Sequence, residues 1–135
     1  MFVAAATLMF ASCNKEKQTE EKIVGSWNET ESLYLFTHGG VCDTTSMIEE
    51  GESAEITFKA DKTYSSVYHS LDGDAEDHGT WSVKGSKFTM KGELDSSDFT
   101  IDQLDEKVFN ITHSEEGNDE NGHYSLKIII RMTRK

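Results

Sequence analysis

The sequence is poor in basic residues and in cysteine, and it contains no proline. Its 135 residues include 13 Lys and Arg against 25 Asp and Glu, which makes the net charge −12. Binding to the backbone of a nucleic acid requires clustered Lys and Arg, so we expect no nucleic-acid partner. The length allows one domain and leaves no room for a second core of comparable size.

The sequence also lacks an apolar run long enough to cross a membrane as a helix. Residues 2–11 are uncharged and mostly apolar, a stretch with the length of a signal-peptide core. It ends in Phe10-Ala11-Ser12-Cys13, which resembles a bacterial lipobox, where the signal is removed before the cysteine and the cysteine is acylated. We therefore predict a lipoprotein signal peptide over residues 1–12, lipidation of Cys13, and a lipidated tether with a short helix over residues 13–22.

Such an anchor would make the protein an outer-membrane lipoprotein of the bacterial cell envelope, facing the periplasm or the cell surface. No Lys or Arg precedes the apolar stretch, although a signal peptide ordinarily has one there. Two explanations stay open: Met1 is an internal start with a basic segment upstream, or targeting is weak. An ordinary signal peptide or a buried strand is the alternative to the lipobox.

With Cys13 lipidated, Cys42 is the one thiol left in the mature chain, and no internal disulfide forms. Cys42 lies in a glycine-rich segment next to Asp43, and an adjacent acid disfavours the thiolate that a nucleophile requires. We therefore expect an incidental loop cysteine.

The residue patterns of enzymes and metal sites are absent as well. The sequence has no Gly-x-Ser-x-Gly motif and no phosphate-binding glycine loop. The five histidines lack ligand spacing such as His-x-x-x-His, and the acidic run 72–77 lacks the glycine and the glutamate of a calcium loop. We therefore expect no catalytic residue, no metal and no cofactor, and we do not expect an enzyme.

From residue 24 onward, apolar residues recur with a period of two, which is typical of strands with one buried face. In the last such run, Ile128, Ile130 and Met132 face one side, whereas Lys127 and Arg131 face the other. Turn signals separate eight strand-like runs: 24–37, 53–60, 63–69, 77–84, 86–91, 98–103, 107–113 and 122–133.

This pattern predicts an all-β fold over residues 23–135, an eight-stranded antiparallel up-and-down barrel preceded by a short helix. A two-sheet sandwich is the alternative, but most links after residue 60 are too short for Greek-key crossings. Closing the first strand on the last also removes the exposed edges. Many large side chains point inward: Trp27, Phe58, Trp81, Phe88, Phe99, Phe109 and Tyr124.

Three segments carry a resemblance to a known family: Ile23-Val24-Gly25-Ser26-Trp27, residues 56–64 across a hairpin, and Gly79-Thr80-Trp81-Ser82-Val83. With Arg131 in the last strand, their order and spacing resemble the lipocalin-like domains of lipoproteins from Bacteroides-type bacteria, which are calycin-like small β-barrels. Lys62 departs from the pattern, because the family's turn usually has glycine there.

The resemblance implies that Trp27 closes one end of the barrel and that Arg131 stacks against its ring, a structural role. It also implies a large first loop over the other end of the barrel. Residues 38–53, the longest interval between predicted strands, would form that lid.

Any small-molecule site is then expected at the open end, under this lid. Val41, Met47 and Ile48 would cover an apolar group, and Tyr64 and Tyr68 would offer hydroxyls to orient it. The predicted protein is a monomeric, membrane-anchored lipoprotein that binds a small apolar or amphipathic ligand. The alternative is an interaction or structural lipoprotein with a filled barrel, because eight strands enclose space for side chains or for one small ligand.

Overall fold

The computed structural model describes residues 15–135. The predicted signal peptide and the predicted lipidation site, Cys13, lie outside the described residues. The described chain begins with a helix, α1, over residues 15–23 and continues as nine strands. These are β1 (Gly25–His38), β2 (Val41–Ser46), β3 (Ser53–Phe58), β4 (Thr63–Ser70), β5 (Gly73–Lys84), β6 (Lys87–Lys91), β7 (Ser96–Leu104), β8 (Val108–Asp119) and β9 (Gly122–Arg134).

Eight of these strands, β1 and β3 to β9, form a closed antiparallel barrel. Each pairs with the next barrel strand along the chain, and β1 pairs with β9 from Trp27 opposite Arg134 to His38 opposite Tyr124. Closure gives the first and last strands partners that they would lack in an open sheet. The predicted all-β class, the up-and-down barrel and the short helix are confirmed.

The remaining strand, β2, is not part of the barrel and lies where the sequence predicted a lid loop. It pairs antiparallel with the distal half of β1, on the edge whose proximal half pairs with β3. Gly39 and Gly40 have φ values of 59° and 83°, and positive φ at both central residues is what a type I′ hairpin turn requires. The lid prediction is therefore wrong for residues 38–46, which form a hairpin, and the remaining loop spans residues 47–52.

A bulge reverses the facing of side chains along β1. The register against β9 shifts between Glu29 and Glu31, so that Thr30 is an extra residue. Trp27 and Glu29 face the barrel interior before the bulge, and Ser32 faces it afterwards, with 3% of its surface exposed. The bulge thus places a glutamate on the inner wall of the barrel.

Aromatic side chains fill one half of the barrel. Phe88 packs edge-on against Phe58 and Phe109, with ring centres 5.5 and 5.2 Å away and interplanar angles of 86° and 81°. Helix α1 covers this end and buries Ile23 completely. Edge-to-face packing is favourable because the positive edge of one ring lies against the negative face of the next. Packed aromatic rings therefore fill this half of the barrel as a solid core. Six of the seven large side chains expected to point inward are buried, and Tyr124, near the other end, is half-buried.

Candidate functional site

The closed end of the barrel is built around Trp27, which is fully buried. Its indole Nε1 donates a hydrogen bond to the backbone oxygen of Ile23, at 2.8 Å. The guanidinium carbon of Arg134 lies 4.2 Å from the centre of the Trp27 ring. This arrangement is a cation–π pair, and it seals the end of the barrel beneath α1.

The prediction that Arg131 stacks against the ring of Trp27 is wrong. Arg131 faces the outside of the barrel and pairs with the carboxylate of Glu31. Successive side chains of a strand alternate between its two faces, so Arg134 shares the inner face with Met132, whereas Arg131 cannot. The role that the resemblance implied for Arg131 therefore belongs to Arg134.

Lys62 keeps the backbone conformation that glycine adopts more easily, with a φ of 71°. Its ammonium lies 4.4 Å from the centre of the Trp81 ring and 2.5 Å from the carboxylate of Glu20 on α1. These contacts tie the helix to the β3–β4 turn and offset the cost of the left-handed backbone.

The opposite half of the barrel contains a cavity of about 190 Å³. Its walls are mostly apolar, and the polar lining groups include three carboxyl groups. Among the described residues that line it, none is Lys, Arg or His. The lining residues are Glu29, Ile56, Phe58, Tyr64, Asp77, Met90, Gly92, Asp95, Ser97, Phe99, Ile111, Ile130 and Met132.

Glu29 occupies the β1 wall of this cavity. β1 is separated from β5 by two strands on one side and from β6 by three on the other, so Glu29 lies across the barrel from Asp77 and Met90. Burial raises the pKa of its carboxyl above the ordinary value. Within the described part of the chain, no side chain forms an ion pair with it. Glu29 is therefore a half-buried acid on the wall of the cavity, without an ion-pair partner among the described residues.

The other two carboxyl groups, of Asp77 and Asp95, are exposed at the edge of the cavity, next to the buried Tyr64. The Tyr64 hydroxyl donates a hydrogen bond to Oδ2 of Asp77, at 3.2 Å. Burial, followed by the adjacent Asp77 charge, raises the pKa of Tyr64 to about 12. The hydroxyl is therefore protonated at neutral pH. Asp95 belongs to the β6–β7 turn, which is closed by a 2.9 Å hydrogen bond from the Gly92 amide to the Asp95 carbonyl.

These oxygens face one point beside Gly92. A Cβ added to Gly92 would lie 3.4 Å from Oδ1 of Asp95, 3.4 Å from the Tyr64 hydroxyl and 3.8 Å from Oδ1 of Asp77. The side chain that Gly92 lacks would thus occupy a position that three oxygens surround. The three oxygens therefore border the same open space in front of the Gly92 Cα, which a donor group of a ligand can approach.

Residues 23–111 match the model of a family described as the lipocalin-like domain. The chain belongs to this lipocalin-like family. The resemblance stated from the sequence is therefore confirmed. No curated protein sequence matches the chain.

Three solved structures resemble this lipocalin-like domain. An uncharacterized protein from Bacteroides eggerthii is 12% identical, with 81% of this chain and 98% of that chain covered and a TM-score of 0.47. Lobster apocrustacyanin A1 and apocrustacyanin C2 are each 13% identical, with 93% of this chain and 67% of theirs covered and TM-scores of 0.53. At such identities, the two apocrustacyanins support the fold alone.

The five residues predicted to bind a ligand are not gathered in one place. Tyr64 lines the cavity. Val41 lies on β2 with 63% of its surface exposed, and Met47 is 41% exposed. Tyr68 donates a hydrogen bond to the Met47 carbonyl, at 3.2 Å, and Ile48 is half-buried in the same loop. Their roles in ligand binding stay predictions, and Tyr64 is the one among them that borders the cavity.

The three acids of the cavity are not among the site residues predicted from the sequence. Asp77 belongs to the acidic run 72–77, which the sequence indicated only as lacking a calcium-loop pattern, yet it lies two and four residues before Gly79 and Trp81 and therefore on the same inner face of β5. The period of two along β5 was the signal that could have identified it. Glu29 has the same spacing from Trp27, on β1.

An aromatic rim extends the inner face beyond the cavity. It is formed by Phe36 and His38 on β1 and by Tyr124 on β9. The Phe36 ring lies 6.1 Å from the His38 ring and 6.0 Å from the Tyr124 ring, and both pairs are stacked. All three side chains are half-buried. The rim offers flat apolar surface to a molecule that protrudes from the cavity.

Two further features bear on function. Residues 15–135 contain no group of three or more His, Cys, Asp or Glu side chains placed to hold a metal ion. The described helical segment is not of a length and apolarity that would cross a membrane.

Proposed function

We propose that this lipocalin-like chain is an extracytoplasmic lipoprotein, anchored to the outer membrane through Cys13, that binds a small amphipathic molecule in its barrel. The observation that carries the binding function is the cavity, which has apolar walls and a few polar groups and lies in a barrel whose other end is closed by Trp27 and α1. Ligand sites in proteins have this composition. Lipocalin-like domains as a family bind small hydrophobic ligands.

The size of the cavity limits the ligand. Its volume of about 190 Å³ is below the range of roughly 300–1,000 Å³ for sites that enclose drug-sized molecules. The cavity therefore takes a small molecule or one end of a longer one. A longer ligand would lay its remainder against the aromatic rim.

A titration with the fluorescent probe N-phenyl-1-naphthylamine tests the binding function. We expect saturable binding with one site per chain. Ile130→Phe places a larger side chain in the cavity and should weaken binding by about tenfold or more, since loss of well-packed apolar contact changes affinity by factors of this size.

Ile129→Phe is the matched control, because Ile129 is the preceding residue of β9 and faces the outside of the barrel. It should leave the affinity within about twofold of the original. The absence of saturable binding, or equal effects of the two substitutions, would refute a ligand site in the barrel. It would favour an interaction or structural lipoprotein instead.

A further inference from the structure

The oxygen atoms beside Gly92 indicate the chemistry of the ligand. Gly92 does not have a positive φ, so its backbone does not require glycine. An alanine methyl there would nevertheless occupy the point faced by Asp95, Tyr64 and Asp77. The absent side chain leaves open space in front of the Gly92 Cα, bordered by these oxygens, that a ligand group can approach.

The charge of the cavity favours a cationic group at that point. Three carboxyl groups line the cavity, and the described lining has no basic side chain to balance them. Two of the three, those of Asp77 and Asp95, face the convergence point. The third, Glu29, lies on the far wall, where burial raises its pKa because the charged form is desolvated. A ligand ammonium would be attracted by the carboxylates of Asp77 and Asp95, whereas a ligand carboxylate would be repelled.

The number of oxygens favours an ammonium over a metal ion. Two carboxylates and a phenol surround the point, whereas Ca²⁺ takes six to eight oxygen ligands. An ammonium has three donors, which matches three surrounding oxygens. Phe58, Phe99 and Ile111 provide the adjoining apolar wall, and aromatic faces also attract cations.

We infer that the ligand is a small hydrophobic amine, whose ammonium group binds beside Gly92 between Asp95, Asp77 and Tyr64 and whose apolar body lies in the barrel cavity. This inference rests on the proposed function, since it names the class of ligand for the same cavity.

Isothermal titration with three compounds of one shape and different charge tests the inference. These are 2-phenylethylamine, which is an ammonium at pH 7, neutral 2-phenylethanol, and anionic 3-phenylpropanoate. We expect the amine to bind about tenfold or more tightly than the alcohol, because hydrogen bonds to charged groups are worth at least this factor. The carboxylate should bind most weakly. Equal affinities for amine and alcohol, or a preference for the carboxylate, would overturn the inference.

Two variants locate the ammonium. Gly92→Ala fills the convergence point with ordinary contact distances, and Asp95→Asn removes one of its charges. Each should weaken binding of the amine by about tenfold and change the affinity for the alcohol much less. Glu93→Gln is the control: it removes one charge from the same turn, at a residue that is exposed and outside the cavity lining. Loss of amine affinity in Glu93→Gln as large as in Asp95→Asn would overturn the assignment.

Different results would contradict the amine inference and the proposed ligand-binding function. A chain that binds N-phenyl-1-naphthylamine saturably, but none of the three phenyl compounds, would overturn the amine inference and leave the carrier function standing. A chain that binds neither the probe nor the compounds would overturn both.

Discussion

Arg134 and Arg131 differ in their surroundings although they are three residues apart on β9, and substituting each by alanine gives a matched test of how the barrel is closed. Arg134 donates a hydrogen bond to the Glu106 carbonyl at 2.7 Å, another to the Val24 carbonyl at 3.0 Å, and a third to the Lys22 carbonyl. It also lies against Trp27. The single guanidinium thus joins β1, β9, the β7–β8 turn and the end of α1.

The expected loss for Arg134→Ala follows from these contacts. Hydrogen bonds to a charged group contribute about 1.5–3 kcal/mol each when buried, but Arg134 is half-exposed, so a fraction of this applies. The cation–π contact adds about 1 kcal/mol. We expect Arg134→Ala to lower the free energy of unfolding by about 2–3 kcal/mol. Arg131→Ala breaks one exposed ion pair and should cost less than about 1 kcal/mol.

Urea unfolding monitored by tryptophan fluorescence measures both values. With a slope of about 1–3 kcal/mol per molar urea for a chain of this size, Arg134→Ala should shift the midpoint by about 1 M. A double-mutant cycle with Trp27→Phe should give a coupling energy to Arg134 of about 1 kcal/mol or less, because phenylalanine retains part of the interaction. Equal losses for the two arginine substitutions, or a larger loss at Arg131, would refute this account of the closed end.

Three other substitutions test separate parts of the protein. Lys62→Gly should be more stable than Lys62→Ala by about 1 kcal/mol in urea unfolding, since both lose the ammonium contacts and only glycine relaxes the left-handed backbone; equal stabilities would contradict this. Glu29→Gln should raise the free energy of unfolding at pH 7, because the folded chain disfavours the ionised carboxyl. This gain should disappear as the pH falls below the ordinary value of 4.5, where the carboxyl is protonated in both states, and a gain that is constant with pH would contradict it. Cys13→Ala should move the protein from the membrane fraction to the soluble fraction or block its maturation, and an unmodified N-terminus upstream of residue 13 in the original protein would exclude lipidation.

The acid Glu29 illustrates a conflict between stability and binding. An unpaired carboxyl on an apolar wall destabilises the folded state, because it has lost water without gaining a protein partner. The positive charge of an ammonium bound beside Gly92, across the cavity, would offset part of this cost without pairing directly with Glu29. If the amine inference holds, 2-phenylethylamine should therefore stabilise the original chain against urea more than it stabilises Glu29→Gln.

The alternation of apolar and polar residues along a strand is a local property of the sequence, and it was sufficient to predict much of the fold. Each strand of a barrel must turn its apolar face inward, so the pattern in β9 was enough to place Ile130 and Met132 in the interior. The same alternation assigned Arg131 to the outer face, and it contradicted the role that the family resemblance implied for that residue. Short links between strands were enough to predict a meander that closes on itself.

Features that depend on register and on pairing across the barrel were decided only by the tertiary structure. Every residue of β2 is exposed, so β2 lacks the apolar alternation of a buried strand, and it was missed although Gly39-Gly40 is a hairpin signal. The bulge at Thr30 appears when β1 is aligned against β9, about a hundred residues away. The oxygens beside Gly92 come together through the register of three neighbouring strands. Tyr64 on β4 lies opposite Gly79 on β5, and Thr80 on β5 lies opposite Lys91 on β6, which leads directly into the turn that holds Asp95. Whether eight strands enclose a filled core or a cavity depends on the combined volume of side chains from all of them, which no single strand reveals.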